Sequence, residues 1–263
     1  MLSYQHIYHA GNLADLHKHA ALAWILDYLT RKDKPFSYLE THAGRGIYDL
    51  RAPEAIKTGE AAQGITRAGA EGWLPEDHPL MRVIARTRAE HGANAYPGSP
   101  MIAAMIARPD DHLTLAELHP REHEALARAM LPYAAVVKKV DGLAMAVSAT
   151  PPMPRRGLML IDPSYEVKAD YEALTRLIPQ LARKWNVGIL VLWYPLLTSG
   201  AHGPMVQGLR DALPEIFVHE VRFAPARPGH GMVGSGLAVV NPPFGFEQEA
   251  ARLTAIFARH AGR

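Results

Sequence analysis

Gly157-Leu158-Met159-Leu160-Ile161, followed at once by Asp162-Pro163-Ser164-Tyr165, is the stretch that decides the fold. Its apolar run is continuous rather than alternating, the pattern of a strand covered on both faces. A helical pattern from Tyr171 to Lys184 comes next, and strand followed by helix recurs along the chain. Upstream, Phe36 to Glu40, Leu113 to Glu117 and Ala134 to Val140 read as strands; downstream, Val187 to Pro195, Ile216 to Val221 and Gly236 to Val240 do. With helices expected at Asn12 to Thr30, amphipathic with an apolar centre, and at Arg121 to Met130, the alternation predicts an α/β fold.

The chain has 263 residues, enough for one large α/β domain over 1–263 with an ample core. Hydrophobic residues make up 48% against 21% charged, and 28 Lys+Arg against 26 Asp+Glu leave a net charge of +2, which excludes an intrinsically disordered chain. No apolar run approaches the roughly 20 residues of a membrane span. The opening MLSYQHIYHAGN is polar and reads as no signal peptide, so a cytoplasmic protein is expected. Cysteine is absent, which excludes a disulfide scaffold, thiol catalysis and cysteine-ligated zinc. Between the first and second strands, about 47–100 holds helical pieces and no clear strand, far longer than a usual crossover. It reads as an inserted helical subdomain. Near the N-terminus, His6, His9, His17 and His19 lack a companion cluster of carboxylates, so no metal is expected; the segment reads as a polar surface for cofactor or RNA, with a solvated face as the plain alternative for His6, His9 and His17.

In an open α/β sheet, ligands bind beyond the carboxyl ends of the strands. The first strand runs into Thr41-His42-Ala43-Gly44-Arg45-Gly46, whose glycines permit close backbone approach but lack the third glycine of a dinucleotide fingerprint. Glu117 ends the second strand, where a carboxylate reaches ribose hydroxyls, and Asp141 ends the third, where it can accept from an exocyclic amine. Asp162-Pro163-Ser164-Tyr165 ends the fourth and is one change from the Asp-Pro-Pro-Tyr tetrad of methyltransferases acting on exocyclic amines. The chemistry explains these residue types. The adenine N6 lone pair is delocalised into the ring, so N6 is a poor nucleophile. A carboxylate (Asp162) accepting one N–H and a carbonyl (Pro163) accepting the other favour the attacking geometry, while an aromatic face (Tyr165) stacks on the extruded base. A second tetrad, Asn241-Pro242-Pro243-Phe244, follows the seventh strand; if that strand is antiparallel, its end lies at the wrong edge, and the tetrad reads as a structural turn. Arg155 and Arg156, and Arg222, Arg227 and His230 in or beside a Gly/Pro-rich loop from Pro225 to Gly236, are candidates for phosphate contact.

Taken together, Met1-Leu2-Ser3-Tyr4, His9-Ala10-Gly11-Asn12, Lys18-His19, Thr41-His42-Ala43-Gly44, Tyr96-Pro97-Gly98-Ser99-Pro100, Glu117-Leu118-His119-Pro120, Asp141-Gly142, Ile161-Asp162-Pro163 and Leu192-Trp193-Tyr194-Pro195 resemble the RlmJ family nearly end to end. The family consists of bacterial 23S ribosomal RNA adenine-N6 methyltransferases dependent on S-adenosylmethionine. The resemblance implies a class I S-adenosylmethionine-dependent methyltransferase fold (Rossmann-like, a seven-stranded mostly parallel sheet) with a small helical insertion between strands one and two. It implies Asp162 as the catalytic acceptor, with Lys18, His19, His42, Ser99, Glu117, Asp141, Gly142 and Asp162 lining the cofactor site and Tyr4 near the RNA. 23S ribosomal RNA is the expected partner, and a monomer without a protein partner is expected. Two other readings stay open on the tetrad alone: an N6-adenine methyltransferase of DNA, and a silent RNA-binding protein that keeps the fold. The family pattern has proline where Ser164 stands, which removes a fixed φ and a restraint on Pro163. Transfer is expected to persist through the less rigid turn. Single-turnover kinetics of Ser164→Pro check this: a faster methyl-transfer step means rigidity was lost, and an unchanged one means the loop is already preorganised.

Overall fold

Burial is unbroken along Gly157–Ile161, and this strand stands at the middle of the central sheet. The computed structural model describes residues 5–167, 169–227, 229 and 231–261. In chain order the strands are β1 (Ser37–Glu40), β2 (Ile47–Asp49), β3 (Ala95–Pro97), β4 (His112–Ala116), β5 (Ala135–Lys138), β6 (Gly157–Ile161), β7 (Ile189–Leu197), β8 (Phe217–Arg222) and β9 (Met232–Val240). Seven of them form one sheet in the order β5-β4-β1-β6-β7-β9-β8. The first five of that order are parallel, and β9 is antiparallel to both β7 and β8.

The helices are α1 (Leu13–Thr30), α2 (Pro53–Thr58), α3 (Arg67–Ala70), α4 (Pro79–His91), α5 (Ser99–Ile106), α6 (Pro120–Met130), α7 (Gly142–Ala149), α8 (Ala169–Lys184), α9 (Gly203–Ala212) and α10 (Phe246–His260). They cover both faces of the sheet, which explains why the strands read as continuous apolar runs. Adjacent residues of β1 show the division: Tyr38 joins the core shared with α1, α5 and α10, and Leu39 joins the core shared with α7, α8 and α9.

Three expectations need correction. The stretch 47–100 does contain strands: β2 and β3 pair antiparallel, Ile47 with Pro97 and Asp49 with Ala95, and join its two ends. Three residues each are too few to leave a period in the sequence. The loop expected from Pro225 to Gly236 is shorter, since β9 begins at Met232. Gly234 and Gly236 are strand residues; a Cβ on Gly236 would stand 2.2 Å from the ring of Tyr194, its partner on β7. Last, α1 is not amphipathic and His17 is not solvated. The helix packs against α4, α5, α10 and β9, and Asp15, His17, Lys18 and His19 are all buried. Each has a partner. For His17, Nδ1 meets Ser235 Oγ at 2.8 Å and Nε2 meets His219 Nδ1 at 2.9 Å, while His219 Nε2 meets Thr254 Oγ1 at 2.8 Å. Trp193 Nε1 donates to the same Ser235 hydroxyl at 2.9 Å.

The antiparallel course of β9 decides the second tetrad. Val240 pairs with Leu190 at the start of β7, so Asn241-Pro242-Pro243-Phe244 emerges at the edge opposite Asp162. There Asn241 Nδ2 donates to the carbonyls of Gly188 (2.8 Å) and Asn186 (3.1 Å).

Burial lowers the pKa of both His17 and His219, and the proximity of His219 lowers that of His17 further. Both are therefore neutral in the fold, whereas the unfolded chain takes up protons at the ordinary pKa of about 6.5. Their stabilisation is complete above that pH and falls as the pH drops below it, by up to about 1.4 kcal/mol per pH unit for each group. In thermal melts between pH 7 and 5, the wild type should lose Tm more steeply than a His17→Leu/His219→Leu double variant; equal slopes would refute this origin of acid sensitivity.

Candidate active site

The sheet changes winding direction between β1 and β6, and a cleft of about 420 Å³ opens beyond the carboxyl ends there. One wall comes from the buried helix α1. Asn12 caps it by accepting from the Asp15 N–H at 2.8 Å, which fixes the first turn and points Asp15 and Lys18 into the cleft. The Lys18 ammonium reaches Asp162 Oδ2 at 2.5 Å and Asp15 Oδ1 at 3.2 Å, and stands 5.5 Å from the centre of the Trp193 ring. Burial alone would lower the Lys18 pKa; Asp162 and Asp15 outweigh it and raise it. Burial alone would raise that of Asp15; the His6 imidazole and Lys18 outweigh it and hold the acid well below the usual carboxylate range.

The other walls come from strand ends. After β4, the two Glu117 oxygens accept the backbone N–H groups of Gly44 (2.8 Å) and His119 (2.7 Å). Each oxygen keeps a second lone pair for a ligand hydroxyl. After β5, Asp141 caps α7 by accepting from Ala144 at 2.8 Å. Gly142, the first residue of α7, lies so close to β1 that a Cβ there would fall 1.8 Å from the Thr41 carbonyl oxygen. That contact brings Asp141 and His42 to one rim. His42 Nδ1 meets Thr41 Oγ1 at 2.7 Å, and His19 Nδ1 meets the Tyr96 hydroxyl at 2.8 Å. Burial lowers the pKa of both imidazoles, that of His19 to about 3, so neither adds positive charge at neutral pH.

After β6 comes the Asp162-to-Tyr165 turn. Tyr165 adopts φ 55°, a left-handed conformation that costs a residue with a side chain about 1–2 kcal/mol. Its hydroxyl donates to the Trp193 carbonyl at 2.6 Å and its ring lies 4.6 Å from that of Tyr171. Lys18, His19, His42, Ser99, Glu117, Asp141, Gly142, Asp162, Pro163 and Tyr165 thus line a single cleft. Tyr4 and His230 lie outside the described residues. Arg155 and Arg156 precede β6 at the opposite edge. Arg155 bonds Asn186 Oδ1, and Arg156 binds the Leu29 and Lys34 carbonyls, which makes it a staple of the fold. Arg222 and Arg227 are exposed at and after the end of β8.

Two groups escaped the sequence reading. Glu40, the last residue of β1, is fully buried beneath the cleft, where Tyr38 donates to Oε2 at 2.8 Å and the Ser99 hydroxyl donates to Oε1. Burial, with the charge of Asp162 added, pushes its pKa up to about 8 against the pull of those hydrogen bonds. The strand-end rule that picked Glu117 would have found it. Asp15 is the other, and its signal was the i, i+3 spacing to Lys18 on a helix.

Among the described residues, the lining holds six carboxylates (Asp15, Glu117, Glu122, Asp141, Asp162 and Glu166) and one permanently charged cation, Lys18. Such a cleft suits a small, positively charged ligand bearing hydroxyls, and S-adenosylmethionine has a sulfonium, an ammonium and a ribose diol. The strand order, the antiparallel β9 and the acids that end β4 and β5 define a class I S-adenosylmethionine-dependent methyltransferase. The family model described as "Ribosomal RNA large subunit methyltransferase D, RlmJ" matches residues 33–262, and the chain belongs to that family. It is 39% identical over 252 residues to ribosomal RNA large subunit methyltransferase J of Escherichia coli (strain K12), covering 95% of this chain and 90% of that protein. It is 38% identical over 255 residues to the protein of that name from Haemophilus influenzae, with the same coverage. A crystal structure of a Legionella pneumophila protein superposes with a TM-score of 0.87 at 34% identity, covering 96% of this chain and 94% of that one.

Gly142→Ala tests the rim. The clash with a backbone oxygen outweighs the helix-propensity gain of up to about 1 kcal/mol. Calorimetry should show S-adenosylhomocysteine binding weakened at least about tenfold, whereas Gly69→Ala, which meets nothing within 4 Å, binds normally.

Proposed function

We propose that this chain transfers a methyl group from S-adenosylmethionine to the N6 amine of an adenosine in 23S ribosomal RNA. The observation that carries the reading is Asp162-Pro163-Ser164-Tyr165 at the carboxyl end of β6, inside the acidic cleft, in a chain of the RlmJ family. When bound, S-adenosylmethionine supplies an electrophilic methyl group on a sulfonium. Lys18, His19, His42, Ser99, Glu117, Asp141, Gly142 and Asp162 would hold it, with the Glu117 oxygens facing the ribose hydroxyls.

The remaining work falls to the turn. Lys18 occupies Asp162 Oδ2, which leaves Oδ1 to accept one N6–H, and the Pro163 carbonyl accepts the other. Together they turn the amine toward the methyl group, and positioning supplies much of the rate. Tyr165, braced by Tyr171, stacks on the extruded adenine. Phosphates are excluded from a cleft of this charge, so the polynucleotide backbone stays at the rim and only the neutral base enters. We read 47–100 as an inserted helical subdomain that frames the entrance; Tyr48, Gly98 and Ser99 reach the lining from it and from its exit. A ribosomal RNA substrate supports a cytoplasmic enzyme, and no described helix is long and apolar enough to cross a membrane.

The test is transfer from labelled S-adenosylmethionine to unmodified 23S RNA, followed by nucleoside digestion and mass spectrometry, with duplex DNA as a competing substrate. 6-Methyladenosine should form in the RNA. Asp162→Asn should lower transfer at least about a hundredfold while S-adenosylhomocysteine still binds. Preference for DNA, or wild-type transfer by the variant, would overturn the reading.

A further inference from the structure

Asp15 lies in the cleft, 2% exposed, and the methyl-transfer geometry makes no use of it. Its Oδ2 accepts from the Gly11 N–H and meets His6 Nε2, both at 2.9 Å, and its Oδ1 holds the Lys18 ammonium at 3.2 Å. Lys18 already has Asp162 at 2.5 Å. Neutralising one buried ammonium takes one carboxylate, and a second buried carboxylate costs several kcal/mol of desolvation. Two acids on one lysine leave the cluster with a net charge of −1. Of the neighbouring titratable groups, His19 is neutral and Glu40 carries its proton at neutral pH, while His6 shares Asp15 Oδ2 through its ring nitrogen.

An excess negative charge in the cleft acts on whatever charge the ligand brings. S-adenosylmethionine carries a positive sulfonium where its product, S-adenosylhomocysteine, carries a neutral thioether; apart from the methyl group the two are the same. We propose that Asp15 is the residue by which the site distinguishes the charged methyl donor from its neutral product. It keeps the Lys18–Asp162 pair from presenting a neutral face to the sulfonium, and so favours replacement of spent product by fresh donor at equilibrium. The inference rests on the methyl-transfer reading of the cleft.

Calorimetric Kd values for donor and product, on wild type and Asp15→Asn, test it. The ratio Kd(product)/Kd(donor) should fall about tenfold in the variant, with product affinity unchanged within about twofold. A purely structural role would weaken both ligands alike, and equal losses or an unchanged ratio overturn the proposal. If the variant does not fold, the wild type still decides. The analogue with a protonated amine in place of the S-methyl group should bind at least about threefold more tightly than the thioether; equal or weaker binding overturns the proposal. Wild-type binding of neither donor nor product would overturn the methyl-transfer reading and this inference together.

Discussion

A buried ammonium must have a carboxylate beside it, and Lys18 has two. Much of the molecule follows from satisfying it. Asp15 is one turn away on the same helix, so that pair is local. Asp162 is 144 residues away at the end of the middle strand. The ion pair therefore ties the N-terminal helix to the carboxyl end of β6, and α1 is held between the sheet and the helices that follow β2. Buried this deeply, the helix has to satisfy every polar side chain it carries, and it does so with Ser235 and His219 for His17 and Tyr96 for His19. Those partners come from β9, β8 and β3, so one helix reaches both the far edge of the sheet and the two-stranded ribbon.

The same constraint sets the character of the cleft. Burial keeps His17, His19, His42 and His219, all within reach of α1 or its cleft face, from charging. Among the described lining residues Lys18 is the one permanent cation. This separates the two substrates physically. The methyl donor is a cation and is drawn in; the nucleic acid is a polyanion and can offer only a neutral base. Contacts to phosphate belong outside the cleft.

The continuous apolar runs of β6 and β7, and the acids that end β4 and β5, could be read from sequence because strand periodicity and the strand-end rule are local. Asp162 was chosen over Asn241 by sheet direction, and the antiparallel β9 places the second tetrad at the far edge as that argument requires. The burial of α1 could not be read. Four polar residues in its first two turns look like a solvated face, and three of them, His17, Lys18 and His19, meet partners 77 to 218 residues away. The strand-end rule reaches Glu40 but not its protonation: a protonated acid and a charged one are the same letter, and only its lack of solvent and of a paired cation marks the difference.

The turn after β6 shows where rigidity comes from when the sequence withholds it. A second proline would have fixed the backbone ahead of Tyr165, and Ser164 does not. Tyr165 nevertheless holds a left-handed conformation that an isolated chain would leave, because tertiary contacts oppose the strain: its hydroxyl is tied to the Trp193 carbonyl and its ring is backed by Tyr171. Trp193 is itself pinned through Ser235 to His17 on α1, the helix that sends Lys18 to Asp162. The acceptor at the start of the turn and the ring at its end are thus held by neighbouring residues of one helix. Preorganisation spread over such a network tolerates the loss of one proline, because no single φ angle carries it.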